Sequence, residues 1–215
     1  MISTDNIISV KTADFSRRVL DGETTTSLFV NFTNPINSES VEFRVNGVWE
    51  EAERVSDFGW SKETRSNLVI KAALVEEKSD TDPNNSTWAV YLVKQYKYSW
   101  ESQQSKNSNT NFELYKLTID LNNTAASSLN MVYASRQSSA NSVAQFEKFV
   151  DADLNNDNTI GPVFLSSTPE TSDASGLKFI RDSEGTPYLY AADGKHQFFE
   201  SQETKSNWTN GGWED

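Results

Sequence analysis

The stretch "STWAVYLVKQYKYSW", residues 86–100, decides the fold. Its even positions are Trp88, Val90, Leu92, Lys94, Tyr96, Tyr98 and Trp100, while its odd positions turn more polar towards the end. Apolar residues at every second position are what a half-buried strand requires, because successive side chains point to opposite faces. The run is long for a strand, whose usual length is about five or six residues. Its aromatic face has two readings. The alternation favours core packing against a second sheet or a neighbouring subunit. The other reading is a platform on which sugar rings stack.

Similar patterns lie on either side. "SLFVNF" (27–32) puts Leu28, Val30 and Phe32 on one face. "VEFRVNGVW" (41–49) does the same with Phe43 and Val45 and then meets an Asn-Gly turn signal. "NLVIKAALVEE" (67–77) and "LNMVYAS" (129–135) are further strand candidates. "NFELYKLTIDL" (111–121) changes phase near Tyr115, which predicts a β-bulge there. The connecting segments "EKSDTDPNNS" (77–86) and "ESQQSKNSNTN" (101–111) are rich in Ser, Asn and Asp and read as exposed turns. The chain is therefore expected to be mainly β, a β-sandwich or meander domain over 1–138. A helix, a calcium-type loop and a small β-meander follow over 139–215.

The helix is read from Val143, Phe146 and Val150, with Phe149 beside them, and Ser142 with Gln145 offers a capping box. It runs into "DADLNNDNTIG" (151–161), where Asp153, Asn155 and Asp157 fall at alternate positions. Calcium takes six to eight hard oxygens, and alternate residues of a tight loop converge on one centre. In that numbering Asp153, Asn155 and Asp157 hold positions 1, 3 and 5. Thr159 offers its carbonyl at position 7, and Ile160 at position 8 points into the core. Asn158 replaces the usual Gly at the bend and tolerates the left-handed conformation better than other residues. Position 12 is Phe164 instead of a bidentate carboxylate, so weak calcium binding is expected, with Asp151 available to compensate. The alternative is an Asx-rich turn that caps the helix and binds nothing.

Beyond the loop, "LKFIRDSEGTPYLYAADGKHQFFE" (177–200) reads as three short strands, turning at Ser183–Gly185 and Asp193-Gly194. Helix, loop, spacer and hairpins in this order resemble the tryptophan-rich C-terminal repeat of cyanobacterial surface and secreted proteins over about 143–200. The chain departs from that family's DLNGDGxIG loop at Asn156 and Asn158, where Gly is usual. "WEEAERVSDFGW" (49–60) is similar to the Trp-containing end of such a repeat. The resemblance implies an extracellular or particle-surface β module of a cyanobacterium or its phage, with no catalytic activity.

Composition narrows the job further. Nineteen Lys and Arg against 31 Asp and Glu give a net charge of -12, which argues against nucleic acid and against anionic lipid. No apolar run is long enough to span a bilayer, and the first residues lack the basic head and apolar stretch of a conventional signal peptide. Cysteine is absent, which removes disulfides and thiolate chemistry. His196 is the single histidine and reads as a surface residue on a hairpin. Glu50, Glu51, Glu76, Glu77, Glu113 and Asp120 supply carboxylates, but only their separation in space could make a pair catalytic. The expected function is that of a non-catalytic structural protein of an assembled particle, such as a phage virion decoration, fibre or appendage subunit. Its expected partners are copies of itself or other structural subunits. The alternative is a secreted cell-surface calcium-binding adhesin or carbohydrate-binding module that recognises surface glycans.

Overall fold

The structure is a computed structural model that describes residues 6–79, 85–122, 128–130, 132–137, 143–164, 170–171, 178–182, 187–190 and 196–198. It is mainly β. The long run at 86–100 is the centre of the larger sheet, strand β7 (Ser86–Ser102). Its neighbours are β6 (Ser61–Lys78) and β8 (Lys106–Ile119), both antiparallel to it. Along the outer edge of β6, β1 (Ile7–Thr12) and β5 (Glu51–Asp57) lie end to end, and β10 (Val132–Gln137) borders β8. The smaller sheet runs β2 (Asp14–Val19), β3 (Thr26–Thr33), β4 (Ser40–Asn46), β9 (Ser128–Asn130). Only its last pair, β4 with β9, is parallel.

The two sheets pack face to face. Leu28, Val30, Phe32, Val41, Phe43 and Val45 meet Val69, Ala72, Leu74, Val90, Leu92 and Tyr115 in one core. The alternate residues of the larger sheet are just as buried. Ala73, Val75, Ala89, Tyr91, Val93, Phe112 and Leu114 pack against Val143, Phe146, Phe149 and Val150 of helix α1 (Ala144–Val150). The central sheet is thus covered on both faces, and its strands read as continuous apolar runs for that reason. The expected domain boundary near residue 138 falls between β10 and a helix that packs on β6, β7 and β1.

The expected bulge near Tyr115 lies opposite β8 and not within it: the β8–β10 register shifts between Tyr133 and Ser135, the partners of Tyr115 and Leu114. The β7–β8 register runs without a shift from Trp88↔Ile119 to Glu101↔Lys106. Phe112 and Leu114 face the helix, whereas Tyr115, Leu117 and Ile119 face the smaller sheet. The phase change records which face is covered. A second bulge sits in β6, where Ile70 drops out of register between Val69 and Lys71. There the Val69 N–H donates to Glu50 Oε1 (2.6 Å), and the Val69 carbonyl accepts from Arg17 Nη2 (2.7 Å). Arg17 also holds Glu50 through two hydrogen bonds, so one ion pair ties the smaller sheet to the bulge.

Val143 occupies the helix N-cap with no side-chain cap bond, and the expected capping-box pair, Ser142 and the Gln145 side chain, lies outside the described residues. Downstream, β11 (Glu170–Thr171), β12 (Lys178–Arg181), β13 (Pro187–Tyr190) and β14 (His196–Phe198) form an antiparallel meander. The expected turns at Ser183–Gly185 and Asp193-Gly194 lie outside the described residues, as does the terminal "NWTNGGWED".

Candidate functional site

Two regions stand apart from the sandwich core. The first is the turn after α1. The helix ends at Asp151 in the left-handed conformation, φ 48°. The chain then wraps around two carboxylates. Asp153 Oδ1 accepts from the backbone N–H of Asn156 (2.6 Å) and Asp157 (3.2 Å), and Oδ2 accepts from Asn158 N–H (2.9 Å). Asn155 Oδ1 accepts from Asp157 N–H, while Asp157 Oδ1 accepts from Thr159 N–H (2.8 Å) and Thr159 Oγ1 (2.5 Å). Asn156 and Asn158 both adopt positive φ, 63° and 67°, as the sequence required of Asn158. The Thr159 bonds, joined by one from Asn155 Nδ2 to Asp157 Oδ2 (3.1 Å), hold the Asp157 carboxyl below its usual range.

The second carboxylate is Glu147, which the sequence reading did not single out. It is 0% exposed. Its Oε1 accepts from Leu154 N–H (2.9 Å) and Asn155 N–H (3.2 Å), and its Oε2 accepts from Gly161 N–H (2.8 Å). One helix side chain therefore clamps the entry and exit of the loop. Burial pushes its pKa up, and the three amides pull the other way without prevailing. The signal was in the sequence: Glu147 lies at helical spacing from Val143 and Val150, on the stripe that must be buried.

The expected metal residues thus partly converge. Asp153, Asn155, Asp157 and Thr159 share one exposed turn. Asp151 instead lines a cleft with Lys11 and Lys71. Ile160 is 47% exposed and does not enter the core. Phe164 at position 12 packs edge-on against Tyr188, with ring centroids 5.2 Å apart. No three His, Cys, Asp or Glu side chains among the described residues form a group able to hold a metal ion. Two carboxylates, one amide oxygen and one carbonyl fall short of the usual six to eight oxygens, and Asp153, Asn155 and Asp157 turn side-chain oxygens to the loop's own amides.

The second region is the far half of the larger sheet. Beyond Lys94, strands β5, β6, β7 and β8 continue past the end of the smaller sheet as a four-stranded blade. Lys94 marks the border. It pairs with Glu113 (2.9 Å) and lies over the Tyr115 ring at 5.0 Å. Past it the register sets Asn67–Tyr96–Asn111, Arg65–Tyr98–Asn109 and Glu63–Trp100–Asn107 in rows across one face. The aromatic stripe is therefore divided. Trp88 packs against the sandwich core, while Tyr96, Tyr98 and Trp100 are half-buried on the blade. Asn67 and Ser61 share that face, are both buried, and carry a side-chain oxygen with no hydrogen-bond partner among the described residues.

The blade ends in two tight hairpins. Phe58 N–H donates to the Ser61 carbonyl across Gly59-Trp60, and Ser102 N–H donates to the Ser105 carbonyl across Gln103-Gln104. Gly59 has φ 77°, the conformation that a type II′ turn demands at its first central residue. This turn exposes Phe58 at 55% and Trp60 at 67%, with ring centroids 6.3 Å apart. The blade is also electrically neutral. Over 51–67 and 95–111 the five cations Arg54, Lys62, Arg65, Lys97 and Lys106 balance the five anions Glu51, Glu53, Asp57, Glu63 and Glu101. The net charge of -12 therefore resides wholly in the rest of the chain.

The six carboxylates that the sequence offered as candidates have structural partners. Glu77 accepts from Tyr91 Oη and Lys116 Nζ, both at 2.5 Å, and Glu76 accepts from Ser9 and Ser86. Glu50 holds Arg17, Glu113 holds Lys94, Glu51 lies 3.9 Å from Arg54, and Asp120 accepts from Asn122 N–H. No described helix is long and apolar enough to cross a membrane, which says nothing of a β-barrel. No family model, curated protein or solved structure matches the chain.

Proposed function

We propose that the chain is a non-catalytic structural subunit of an assembled particle, of the kind that decorates a virion or forms its fibres and appendages. The observation that supports this reading is a neutral blade, tipped by exposed Phe58 and Trp60, on a protein of charge -12. Two copies repel each other across most of their surfaces, and the blade tip is where approach carries no such cost. Large aromatic side chains are also what interfaces concentrate. Sedimentation velocity tests this. The wild-type chain is expected to associate with rising concentration, and Phe58→Ser/Trp60→Ser is expected to stay monomeric with an unchanged melting temperature. A wild-type chain that remains monomeric at high concentration would defeat the reading.

Calcium enters as a local fastener. Asp153, Asn155, Asp157 and the Thr159 carbonyl would hold it, with water completing the shell. Calorimetric titration should give heat that vanishes in Asp153→Ala. If the wild type gives none at millimolar calcium, the loop is a turn closed by its own amides.

A further inference from the structure

We propose that the ring-bearing face of the blade binds an uncharged polysaccharide. Three observations carry this beyond the assembly reading, which concerns the hairpin tip. First, Tyr96, Tyr98 and Trp100 stand on one face of an unbroken strand. Their rings repeat every ~7 Å at the usual rise of ~3.4 Å per residue, and the Arg65 guanidinium lies over the Tyr98 ring at 5.8 Å, giving a half-buried row of aromatic side chains. Second, asparagines flank that row on one side, and Asn67, Arg65 and Glu63 flank it on the other. Carboxamides both donate and accept, so they suit vicinal hydroxyls, which do the same. Aromatic rings bordered by such groups match the alternating C–H faces and hydroxyl edges of a hexose chain.

The third observation separates this face from ordinary surface. Asn67 Oδ1 and Ser61 Oγ are buried without a partner among the described residues, and both lie on the ring-bearing face. Buried polar atoms are normally hydrogen-bonded, and an orphan calls for a ligand or a water. A hydroxyl-rich ligand seated on the rings supplies that donor and acceptor once these side chains turn towards it. The neutrality of the blade selects among glycans. A sulfated or uronic-acid chain is repelled by the acidic body and finds no compensating basic excess on the blade.

Affinity electrophoresis in native gels containing hydroxyethylcellulose, xyloglucan, galactomannan or laminarin tests the proposal, with full-length protein throughout. At least one of these neutral polymers is expected to retard the wild type, and the retardation should persist in molar salt. Tyr98→Ala/Trp100→Ala should weaken it on the order of tenfold, as loss of two stacking rings implies. Should that variant unfold, Tyr98→Leu/Trp100→Leu keeps the apolar cover and removes the planes, with the same loss expected. Asn67→Ala should reduce retardation without lowering the melting temperature, an effect that a purely structural asparagine does not give. Phe58→Ser/Trp60→Ser should lose self-association and keep glycan binding, so the two readings fail separately. The proposal is overturned if no neutral polymer retards the protein. It is equally overturned if retardation disappears in salt, or if the ring variants or Asn67→Ala bind as the wild type does.

Discussion

Glu147 and Asp157 stand a few residues apart in the turn after α1 and titrate in opposite senses. Glu147 is raised by burial, so its contribution to stability is complete below its unfolded pKa and is lost as pH rises through the folded value. Asp157 is lowered by its Thr159 and Asn155 partners, so its contribution is present above its unfolded pKa and is lost as pH falls through the folded value. Carboxyl-detected NMR titration should place the Glu147 midpoint above the ordinary range and that of Asp157 below it. Thr159→Val should bring the Asp157 midpoint back up. Replacing Glu147 by Gln turns one acceptor oxygen into a donor facing a backbone N–H. A loss of about 1–3 kcal/mol is expected in thermal or denaturant unfolding, the cost of an unsatisfied buried group. At Gly161 the φ of 88° and a Cβ position 2.6 Å from Lys148 Cε both resist a side chain. Gly161→Ala should cost about 1–3 kcal/mol, and adding Lys148→Ala should recover only the part due to contact, leaving the backbone strain. The sequence displayed the alternate oxygens of this turn plainly. It hid the clamp, because Glu147 reads as solvated charge until the helix is known to be buried almost all round.

The blade is a consequence of strand length. β6 and β7 run 18 and 17 residues, about twice what the smaller sheet can cover, and alternation continues past the covered part. Period-2 patterning made the central strands legible, including the faces of Leu28, Val30, Phe32, Phe43 and Val45. The same patterning could not distinguish Trp88, packed on the core, from Tyr96, Tyr98 and Trp100, because what covers a face depends on where another sheet ends. At Tyr115 the change of phase reads as a bulge in β8 itself, whereas β8 runs evenly along β7 and the shift belongs to β10 across from it. The buried pair at the border makes a further prediction. Lys94→Met removes the cation beside Glu113 and leaves it the Tyr115 hydroxyl (2.9 Å), and should cost about 1–3 kcal/mol in chemical denaturation. Lys94→Met/Glu113→Leu should restore most of that loss, since replacing both charges by apolar groups is commonly neutral.

On the scale of the whole molecule, the smaller sheet is completed last. Its final strand, β9, pairs in parallel with β4 through Arg44↔Ser128, Val45↔Leu129 and Asn46↔Asn130. Everything between, including the whole β6–β7–β8 meander, is synthesised first. Loop-closure entropy must be met before such a distant contact returns anything, so this pairing is the slow step of folding. Until it forms, β4 presents an open edge at Arg44, Val45 and Asn46, a template for pairing between nascent chains. Pulse-labelled hydrogen exchange during refolding should show β6, β7 and β8 amides protected before those β4 amides that face β9. A chain released before residue 130 is expected to aggregate through β4, and a chain extended past it to remain in solution. A three-residue strand, paired with Arg44, Val45 and Asn46, therefore sets the moment at which this end of β4 ceases to be adhesive to other newborn copies.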